Sequence, residues 1–433
     1  MDTPFKQFEP YPNPPAQQRV RGVICSDDKG QMQIIAPEQS IVDPEPIHAT
    51  TARQVRSLPP AEAQTVCAIP GFYGLPSIVH SDLKNQDVVA LATETPDEYV
   101  RATGNQVHQM CLSHASFETQ FPDQLKTTPV ETENDEHSIL EAVDNFTTRR
   151  VQARLDETLQ IPPLPDAARR IIALQQDPNH DLSDLVKIIE TDPAIAARIM
   201  GWANSAFYGN GTPSNSLNDA IMRVLGFDLV FIMALGLALG ATLSLPIHHV
   251  QGSSPYWLDA VYRAAVMEAL SRHCDPQQEI DVGAAYLTGL LSNFGTLVVG
   301  HVFPPQYETI CRIEEANPHL SHACVDQHVL QLNREVIAAT LLELWDLPDL
   351  ITTPVRFQYV ENYAGTHKAQ VDLMQLALDV LDLEQQEDHW VVTDDVLAKA
   401  ESLGIQADTT QQIIDTIATS QNEFWMLAQQ IGS

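Results

Sequence analysis

The chain has 433 residues, of which 44% are hydrophobic and 19% charged. It is longer than an ordinary domain of about 100–200 residues, and its composition excludes a disordered chain. The formal net charge is −33, a sign that repels the phosphate backbone of nucleic acids. Residues 1–125 carry 8 basic and 15 acidic side chains, a net −7, which leaves −26 for the rest. Neither part is predicted to bind nucleic acid.

The sequence predicts a cytoplasmic protein with reduced thiols. Its N-terminus lacks the basic-then-apolar order of a signal peptide, and its six cysteines form no Cys-x-x-Cys pair. The most apolar run, residues 225–245, contains Asp228 and three glycines. We interpret that run as a buried core helix with a bend, so no membrane partner is expected. The sequence does not indicate an oligomeric state.

The first elements along the chain are β-strands. Two β-rich runs in residues 19–36 flank Asp-Asp-Lys-Gly, where Gly30 can adopt positive φ, so a hairpin is predicted. Residues 66–83 place prolines and glycines between apolar runs, and residues 88–93 are typical of a further strand. Residues 1–125 are therefore predicted to form a mixed α/β domain.

An acidic segment follows, and then the pattern becomes helical. Residues 126–137 have almost no apolar side chains and are predicted to be a linker, which extends with a leading helix to residue 149. In residues 181–190 the apolar side chains fall at i, i+3, i+4 and i+7, behind Asp181 as a cap. Asp192 and Pro193 start the next helix in the same way. With no convincing strand after residue 150, the rest is predicted to be an all-α bundle.

The pieces of this helical part resemble, in order, the HDOD domain. They are IPPLPDAARRIIAL (161–174), IIETDPAIAARIMGWANSAFYG (188–209), SLNDAIMRVLGFD (216–228), GLLSNFGTLVVG (289–300) and LLELWDLP (341–348). The signature positions are interpreted as structural: Pro165, Asp192, Pro193, Asn204, Ser205, Phe207 and Gly226. Asn204 is interpreted as a clamp on backbone groups rather than a ligand contact, and Gly226 as room for two helices to cross. The resemblance implies an HDOD domain at residues 150–360 and a helical extension packed on it at residues 361–433.

HDOD domains resemble the HD phosphohydrolases, which hold a divalent metal through His and Asp ligands, and this resemblance implies four corresponding positions. Asp259 stands near the first His, Ser292 and Asn293 replace the His-Asp pair, and Leu378 stands near the last Asp. A single carboxylate cannot hold the ion that lowers the pKa of bound water. The metal site is therefore predicted to be lost, and no cofactor is expected.

A second set of possible ligands is weighed and set aside. His319, His322 and Asp326 fall at i, i+3 and i+7 if Asn317-Pro318 begins a helix. His319 and Asp326 would then stand about 10 Å apart along the axis, too far for one ion. A solvated surface pair is the favoured interpretation.

Residues 1–125 resemble the YbaK/prolyl-tRNA-synthetase-associated editing fold, which hydrolyses mischarged aminoacyl-tRNA. The resemblance lies in the hairpin at 20–36, the loop at 68–76 and the segment at 88–107. It implies a lysine on the first strand, where this chain has Arg21 or a neighbour, and a glycine loop, here with Gly71 and Gly74. Arg21 could bind an anionic group, but it cannot reproduce the lysine's role. The domain is therefore predicted to be degenerate, with a residual ligand pocket at these positions.

These resemblances lead to a functional prediction. The chain is expected to be a non-catalytic bacterial regulatory scaffold that binds a protein partner in a signalling pathway. The alternative is an aminoacyl-tRNA deacylase that uses residues 1–125; an HD-type phosphohydrolase is disfavoured by the ligand set. The sequence names neither the signal nor the partner.

Overall fold

The computed structural model describes residues 9–58, 76–92, 98–110, 116–117, 164–176, 181–205, 207–209, 213–240, 243, 249–250, 253–383, 385–386 and 389–432. The chain divides into two compact units. Unit 1 comprises residues 1–128, 247–253 and 305–331, and unit 2 comprises the remainder. Residues 305–331 thus belong to a different unit from the segments that flank them in the sequence.

Unit 1 is built on a mixed sheet of eight strands in the order β1-β7-β6-β2-β3-β5-β8, with β4 paired to β2. Its strands are β1 (Glu9–Pro10), β2 (Arg19–Asp27), β3 (Gly30–Pro37), β4 (Arg56–Ser57), β5 (Ser77–His80), β6 (Val89–Ala92), β7 (Tyr99–Ala102) and β8 (Ser116–Phe117). The predicted hairpin is present as β2 and β3, which pair from Val20 opposite Pro37 to Asp27 opposite Gly30. Gly30 has φ +109°, which its turn requires.

Apolar side chains alternate along β2 and β3, so each face of the sheet has its own core. Val20, Ile35 and Val79 belong to one cluster. Val23, Ile34 and Ile78 belong to the other. The helices of unit 1 are α1 (Pro44–Thr51), α2 (Gly104–Met110), α11 (Pro304–Ala316) and α12 (His322–Val329). The first residue of α11, Pro304, belongs to unit 2. The end of α11 packs into the second cluster through Ala316.

Unit 2 is helical apart from one short ribbon. Its helices are α3 (Asp166–Gln176), α4 (Leu182–Glu190), α5 (Pro193–Ala203), α6 (Leu217–Ala220), α7 (Phe227–Gly240), α8 (Tyr256–Ser271), α9 (Val282–Leu291), α10 (Phe294–Val302), α13 (Arg334–Leu344), α14 (Asp349–Phe357), α15 (Lys368–Leu381), α16 (Asp394–Ser402), α17 (Ala407–Thr419) and α18 (Gln421–Gly432). A π-helical turn, Ile221–Leu225, follows α6. The ribbon pairs β9 (Gln385–Gln386) with β10 (His389–Trp390), where no strand was predicted.

Helix capping follows the sequence closely in the first part of unit 2. The Asp181 carboxylate accepts from the backbone N–H groups of Ser183 and Asp184, and the Asp184 side chain completes a capping box. The Asp192 carboxylate caps α5, with Pro193 at its first position. Both predicted helix starts are confirmed.

Helices α8 and α9 pack closely, and this packing sets the geometry of the site below. A Cβ atom on Gly289 of α9 would lie 2.6 Å from the Arg263 carbonyl oxygen and 2.7 Å from the Ala264 Cα atom of α8. Only glycine allows this approach. It brings the C-terminal end of α9, with Ser292 and Asn293, against α8.

Several sequence predictions need correction. The apolar spacing of residues 281–300 predicts one helix, but in the structure this stretch is broken at Ser292 and Asn293 into α9 and α10. The helix predicted from Pro318 begins at His322, where the Ser321 side chain caps it. Gly226 was interpreted as room for a helix crossing, yet nothing lies within 4 Å of a Cβ placed there. Its φ of +84° is the reason for glycine, since side-chain-bearing residues rarely adopt that backbone conformation.

One described stretch, Val282–Val302, has the length and hydropathy of a membrane-spanning helix, and 78% of that apolar window is buried inside the protein. It corresponds to α9 and α10, which pack within unit 2. Helix α7 is likewise buried over most of its surface, as predicted for the apolar run at 225–245.

Candidate functional site

Three of the four predicted metal positions lie together in unit 2, and a basic side chain lies among them. The Arg263 Nε atom is 2.9 Å from the Asp259 Oδ2 atom, one helical turn away on α8. The Asn293 amide donates to the same Asp259 oxygen at 2.9 Å. An Arg263 Nη atom donates to the Ser292 hydroxyl at 3.5 Å. The guanidinium therefore interacts with Asp259 and Ser292, two of the four predicted metal positions.

The cluster has further members that the sequence did not indicate. Arg263 hydrogen bonds to Tyr359, which follows α14. Asp382, at the C-terminal cap of α15, lies near Arg263 and Asp259; burial raises the pKa of its carboxyl, while the Arg263 charge lowers it. Leu378, the fourth predicted position, is buried one turn earlier on α15 and offers no ligand atom.

The charge of Arg263 is stabilised within this cluster. Burial lowers its pKa, but Asp259 and Tyr359 outweigh burial and hold the pKa above the usual value. A divalent cation would have to share the Asp259 carboxylate with a guanidinium already paired to it. The other donors of the cluster are the Asp382 carboxylate, the hydroxyls of Ser292 and Tyr359 and the Asn293 amide, so only one further group is of the carboxylate or imidazole kind on which Mg²⁺ and Zn²⁺ sites are built. These residues therefore do not fit a divalent metal.

Three buried polar atoms in and beside the cluster have no hydrogen-bond partner: Arg263 Nε, whose contact with Asp259 is an ion pair without hydrogen-bond geometry, Asn293 Oδ1 and Gln358 Oε1. Gln358 is 2% exposed, and its amide nitrogen donates to the backbone carbonyls of Ser292 and Val355, both at 2.9 Å. The Asn293 amide nitrogen also donates to the Tyr256 carbonyl at 3.3 Å. These contacts tie the break between α9 and α10 to α8 and α14.

Arg21, the predicted anion-binding residue of the first domain, has protein partners in unit 1. Its guanidinium donates to the carbonyls of Ala316 at 2.6 Å and Ser40 at 3.1 Å and to the Asn317 Oδ1 atom at 2.5 Å. Burial lowers the pKa of Arg21 to about 10. The Asn317 side chain also accepts from the Val42 backbone N–H at 2.8 Å and donates to the Val42 carbonyl at 2.9 Å. Arg21 and Asn317 thus join β2, the segment before α1 and the end of α11.

The other predicted ligand residues of the first domain, Gly71 and Gly74, lie outside the described residues, as does the linker at 126–149. The histidine set at 319–326 is not a face of one helix, because His319 precedes α12. His319 is exposed and His322 is half-buried, whereas Asp326 is fully buried. Among the described residues, no group of three or more His, Cys, Asp or Glu side chains could hold a metal ion.

The HDOD-like signature segment has a structural network. The Asn204 amide donates to the carbonyls of Met200 at 2.9 Å and Ser214 at 3.1 Å, and its oxygen accepts from the Ser214 backbone N–H at 2.7 Å. The Ser205 hydroxyl donates to the Trp202 carbonyl at 2.7 Å. The Asn204 side chain therefore holds the ends of the loop at 204–214 together.

Within this loop, Phe207 and Tyr208 make contacts that the sequence did not indicate. The Tyr208 hydroxyl donates to Glu268 Oε2 at 3.0 Å, and Arg272 donates to Glu268 Oε1 at 2.6 Å. Glu268 is 4% exposed. Phe207 packs on Phe424 of α18, with ring centroids 4.9 Å apart.

Comparison with known proteins identifies the family to which the helical part is similar. The family model of the HDOD domain matches residues 161–360. A crystal structure of a protein from Marinobacter aquaeolei VT8, provisionally described as a signal transduction protein, is 30% identical. The match covers 97% of this chain and 94% of that one, with a TM-score of 0.79.

Two further relatives are more distant. An HDOD domain protein of unknown function from Geobacter sulfurreducens is 18% identical, with a TM-score of 0.51; the match covers 67% of this chain and 97% of that one, and it shows the fold alone. An uncharacterized protein of Treponema pallidum (strain Nichols) is 24% identical over 220 residues, or 50% of this chain. That match spans only 41% of the Treponema protein.

Proposed function

This chain belongs to the HDOD-domain proteins, and on that premise we propose that it is a non-catalytic regulatory protein of bacterial signal transduction. The observation that carries the proposal is the ion pair between Asp259 and Arg263. It neutralises the carboxylate that corresponds to a metal ligand in the HD phosphohydrolases. The relative from Marinobacter, described in signal transduction terms, supports a regulatory role.

The positive charge of Arg263 opposes the binding of a metal ion at Asp259. Binding a divalent cation beside a buried guanidinium would require breaking the Asp259–Arg263 pair and would leave two cations close together. Without that ion, no group in the cluster lowers the pKa of a bound water, which is how HD-type sites generate their nucleophile. The cluster instead joins α8, the junction of α9 and α10, the residue after α14, and the end of α15. We propose that it stabilises the surface through which the HDOD domain binds a protein partner.

The test combines metal content with activity. After dialysis against Mn²⁺, the purified chain is expected to retain less than one-tenth of an equivalent of metal by mass spectrometry. It is expected to hydrolyse neither bis-p-nitrophenyl phosphate nor cyclic dinucleotides. Metal-dependent turnover that Asp259→Ala abolishes and Asp166→Ala preserves would overturn the proposal, since Asp166 is an exposed carboxylate of the same unit.

The deacylase alternative rests on the editing-like resemblance of residues 1–125 and depends on Arg21. The three hydrogen bonds from Arg21 to Ala316, Ser40 and Asn317 support a structural role for its guanidinium. We therefore propose no deacylase activity for this chain. Incubation with a panel of mischarged tRNAs tests this, and hydrolysis above the uncatalysed rate would restore the alternative.

A further inference from the structure

Unit 2 contains a cavity of about 450 Å³ that shares no residue with the Asp259–Arg263 cluster. This volume lies within the range of small-molecule sites, roughly 300–1,000 Å³. The cavity is bounded by the loop at 207–208, the π turn with the start of α7, the C-terminal end of α8, and α17. It lies between the HDOD match and the C-terminal extension.

The walls of the cavity are mostly apolar. Leu225 and Leu229 form one side, and Phe207 lies beside them. On α17 the lining residues recur at i, i+3, i+4, i+7 and i+8, so a single helix face borders the cavity: Thr409, Gln412, Ile413, Thr416 and Ile417. This face alternates isoleucines, which are buried, with Thr416 and Gln412, which are exposed at the rim. Such walls accept a flat apolar body.

The polar lining is centred on one acid. Glu268 is 4% exposed and is the acidic residue that lines the cavity. Each of its oxygens accepts one hydrogen bond, from Tyr208 and from Arg272, and a carboxylate oxygen has a second lone pair available. Burial raises the pKa of Tyr208 well above its usual value, so its hydroxyl stays protonated and donates. Glu268 also lies in the last turn of α8, where the helix dipole favours positive charge.

The protein's own cation near this acid is loosely held. Arg272 has a side chain that is 55% exposed, while the carboxylate that it contacts is buried. Because more than half of the Arg272 side chain is exposed, water can solvate its guanidinium when a ligand cation replaces it at Glu268. The chain's net charge of −33 raises the local concentration of cations around it.

We propose that this cavity binds a small organic cation, whose apolar body lies between α7 and α17 and whose N–H head group pairs with Glu268. The class comprises arylalkyl amines and related N–H-rich bases. Arg272 and His273 also line the cavity, but Arg272 is already paired with Glu268, so an anion of the same shape is expected to be repelled by Glu268 in this partly desolvated site. Binding would fix α17 of the extension relative to α8, and this gives the regulatory domain a ligand-responsive element.

The experiment compares three indole probes of matched shape. Tryptamine is a cation, tryptophol is neutral and indole-3-propionate is an anion, and binding is measured by saturation-transfer NMR and calorimetry on the full chain. Tryptamine is expected to bind at least ~10-fold more tightly than tryptophol, since hydrogen bonds to a charged group are the stronger kind. Indole-3-propionate is expected not to bind. Equal binding of the three probes, or no binding of tryptamine, overturns the proposal.

Two variants locate the site. Thr416→Trp fills the cavity from its rim without removing core volume and is expected to abolish tryptamine binding. Thr419→Trp is the matched control, because Thr419 is exposed on the same helix and does not line the cavity. Glu268→Gln keeps the side-chain shape and is expected to weaken the binding of tryptamine at least ~10-fold. Undiminished binding to Thr416→Trp or to Glu268→Gln contradicts the assignment, and neither result bears on metal chemistry at Asp259.

Discussion

The Arg263 guanidinium and the Asp259 carboxylate form an ion pair, with Nε 2.9 Å from Oδ2, one turn apart on α8. Asp259 is the residue that the sequence resemblance assigns to the first metal-ligand position of the HD phosphohydrolases. A second acid and arginine with the same spacing, Glu268 and Arg272, lie at the other end of the helix. One helix thus carries an ion pair with a largely buried arginine in the cluster and an ion pair with an exposed arginine at the cavity.

Removing Arg263 is expected to destabilise unit 2. Arg263→Met leaves a partly buried carboxylate without its cation and should lower the free energy of unfolding by about 2–3 kcal/mol. The double variant Asp259→Leu/Arg263→Met should regain at least half of this loss, because no unpaired charge remains. Urea denaturation, monitored by hydrogen exchange in peptides of α8, measures the free energy of unfolding of the single and of the double variant. Arg169→Ala, which removes an exposed ion pair, is the control and should change little. Additive losses in the double variant would contradict this interpretation.

Arg21 is expected to stabilise unit 1. Arg21→Ala removes three hydrogen bonds and leaves buried carbonyls unpaired, so we expect a loss of about 2–4 kcal/mol in the free energy of unfolding. Arg21→Lys should recover only part of it, since an ammonium cannot donate through a planar fork. Arg101→Ala, an exposed arginine of the same sheet, is the matched control. An unchanged stability in Arg21→Ala would assign Arg21 to ligand binding instead.

Asn204 is expected to order the loop at 204–214. Asn204→Ala removes its hydrogen bonds to Met200 and Ser214 and should cost about 1–2 kcal/mol. The same variant should accelerate hydrogen exchange at the Ser214 backbone amide. Asn204→Asp can still accept from that amide, so protection at Ser214 should be partly kept. Equal exchange in both variants would argue against the Asn204 clamp.

Cys25 is expected to be chemically silent in the folded protein. It is buried, and burial raises its pKa to about 12, against about 11 for the half-buried Cys274. Because only the thiolate reacts, iodoacetamide at pH 8 should label Cys274 before Cys25, as read by peptide mapping. The raised pKa also contributes stability that is present below about pH 9 and is lost as the pH rises through about 12. Labelling of Cys25 before Cys274 would contradict its burial.

Local patterns in the sequence were sufficient for local structure. The hairpin around Gly30 and the caps Asp181 and Asp192 depend on residues within four positions of each other, and all three are present. The break at Ser292 was not predicted, because an apolar run continues through it. What breaks the helix is the pairing of Asn293 and Gln358 with other segments. The interpretation of Gly226 as room for a helix crossing was wrong. Glycine is needed there for its positive φ, which depends on the turn that follows the π segment.

For this protein the sequence by itself indicated the helical character of the second part and its resemblance to the HDOD domain, and it predicted the loss of His-Asp at Ser292 and Asn293. It placed Arg263 four residues from Asp259, but it could not show that Asn293 also contacts Asp259 or that Tyr359 and Asp382 lie beside the pair, because these residues come from the junction of α9 and α10, the segment after α14 and the end of α15. The three-dimensional packing alone decided that Arg263 is held in that cluster, that Arg21 pairs with Asn317 from 296 positions away, and that Glu268 lines a cavity. The physical reason is that capping and periodicity act within a few residues, whereas desolvation and charge pairing depend on which segments the fold brings together.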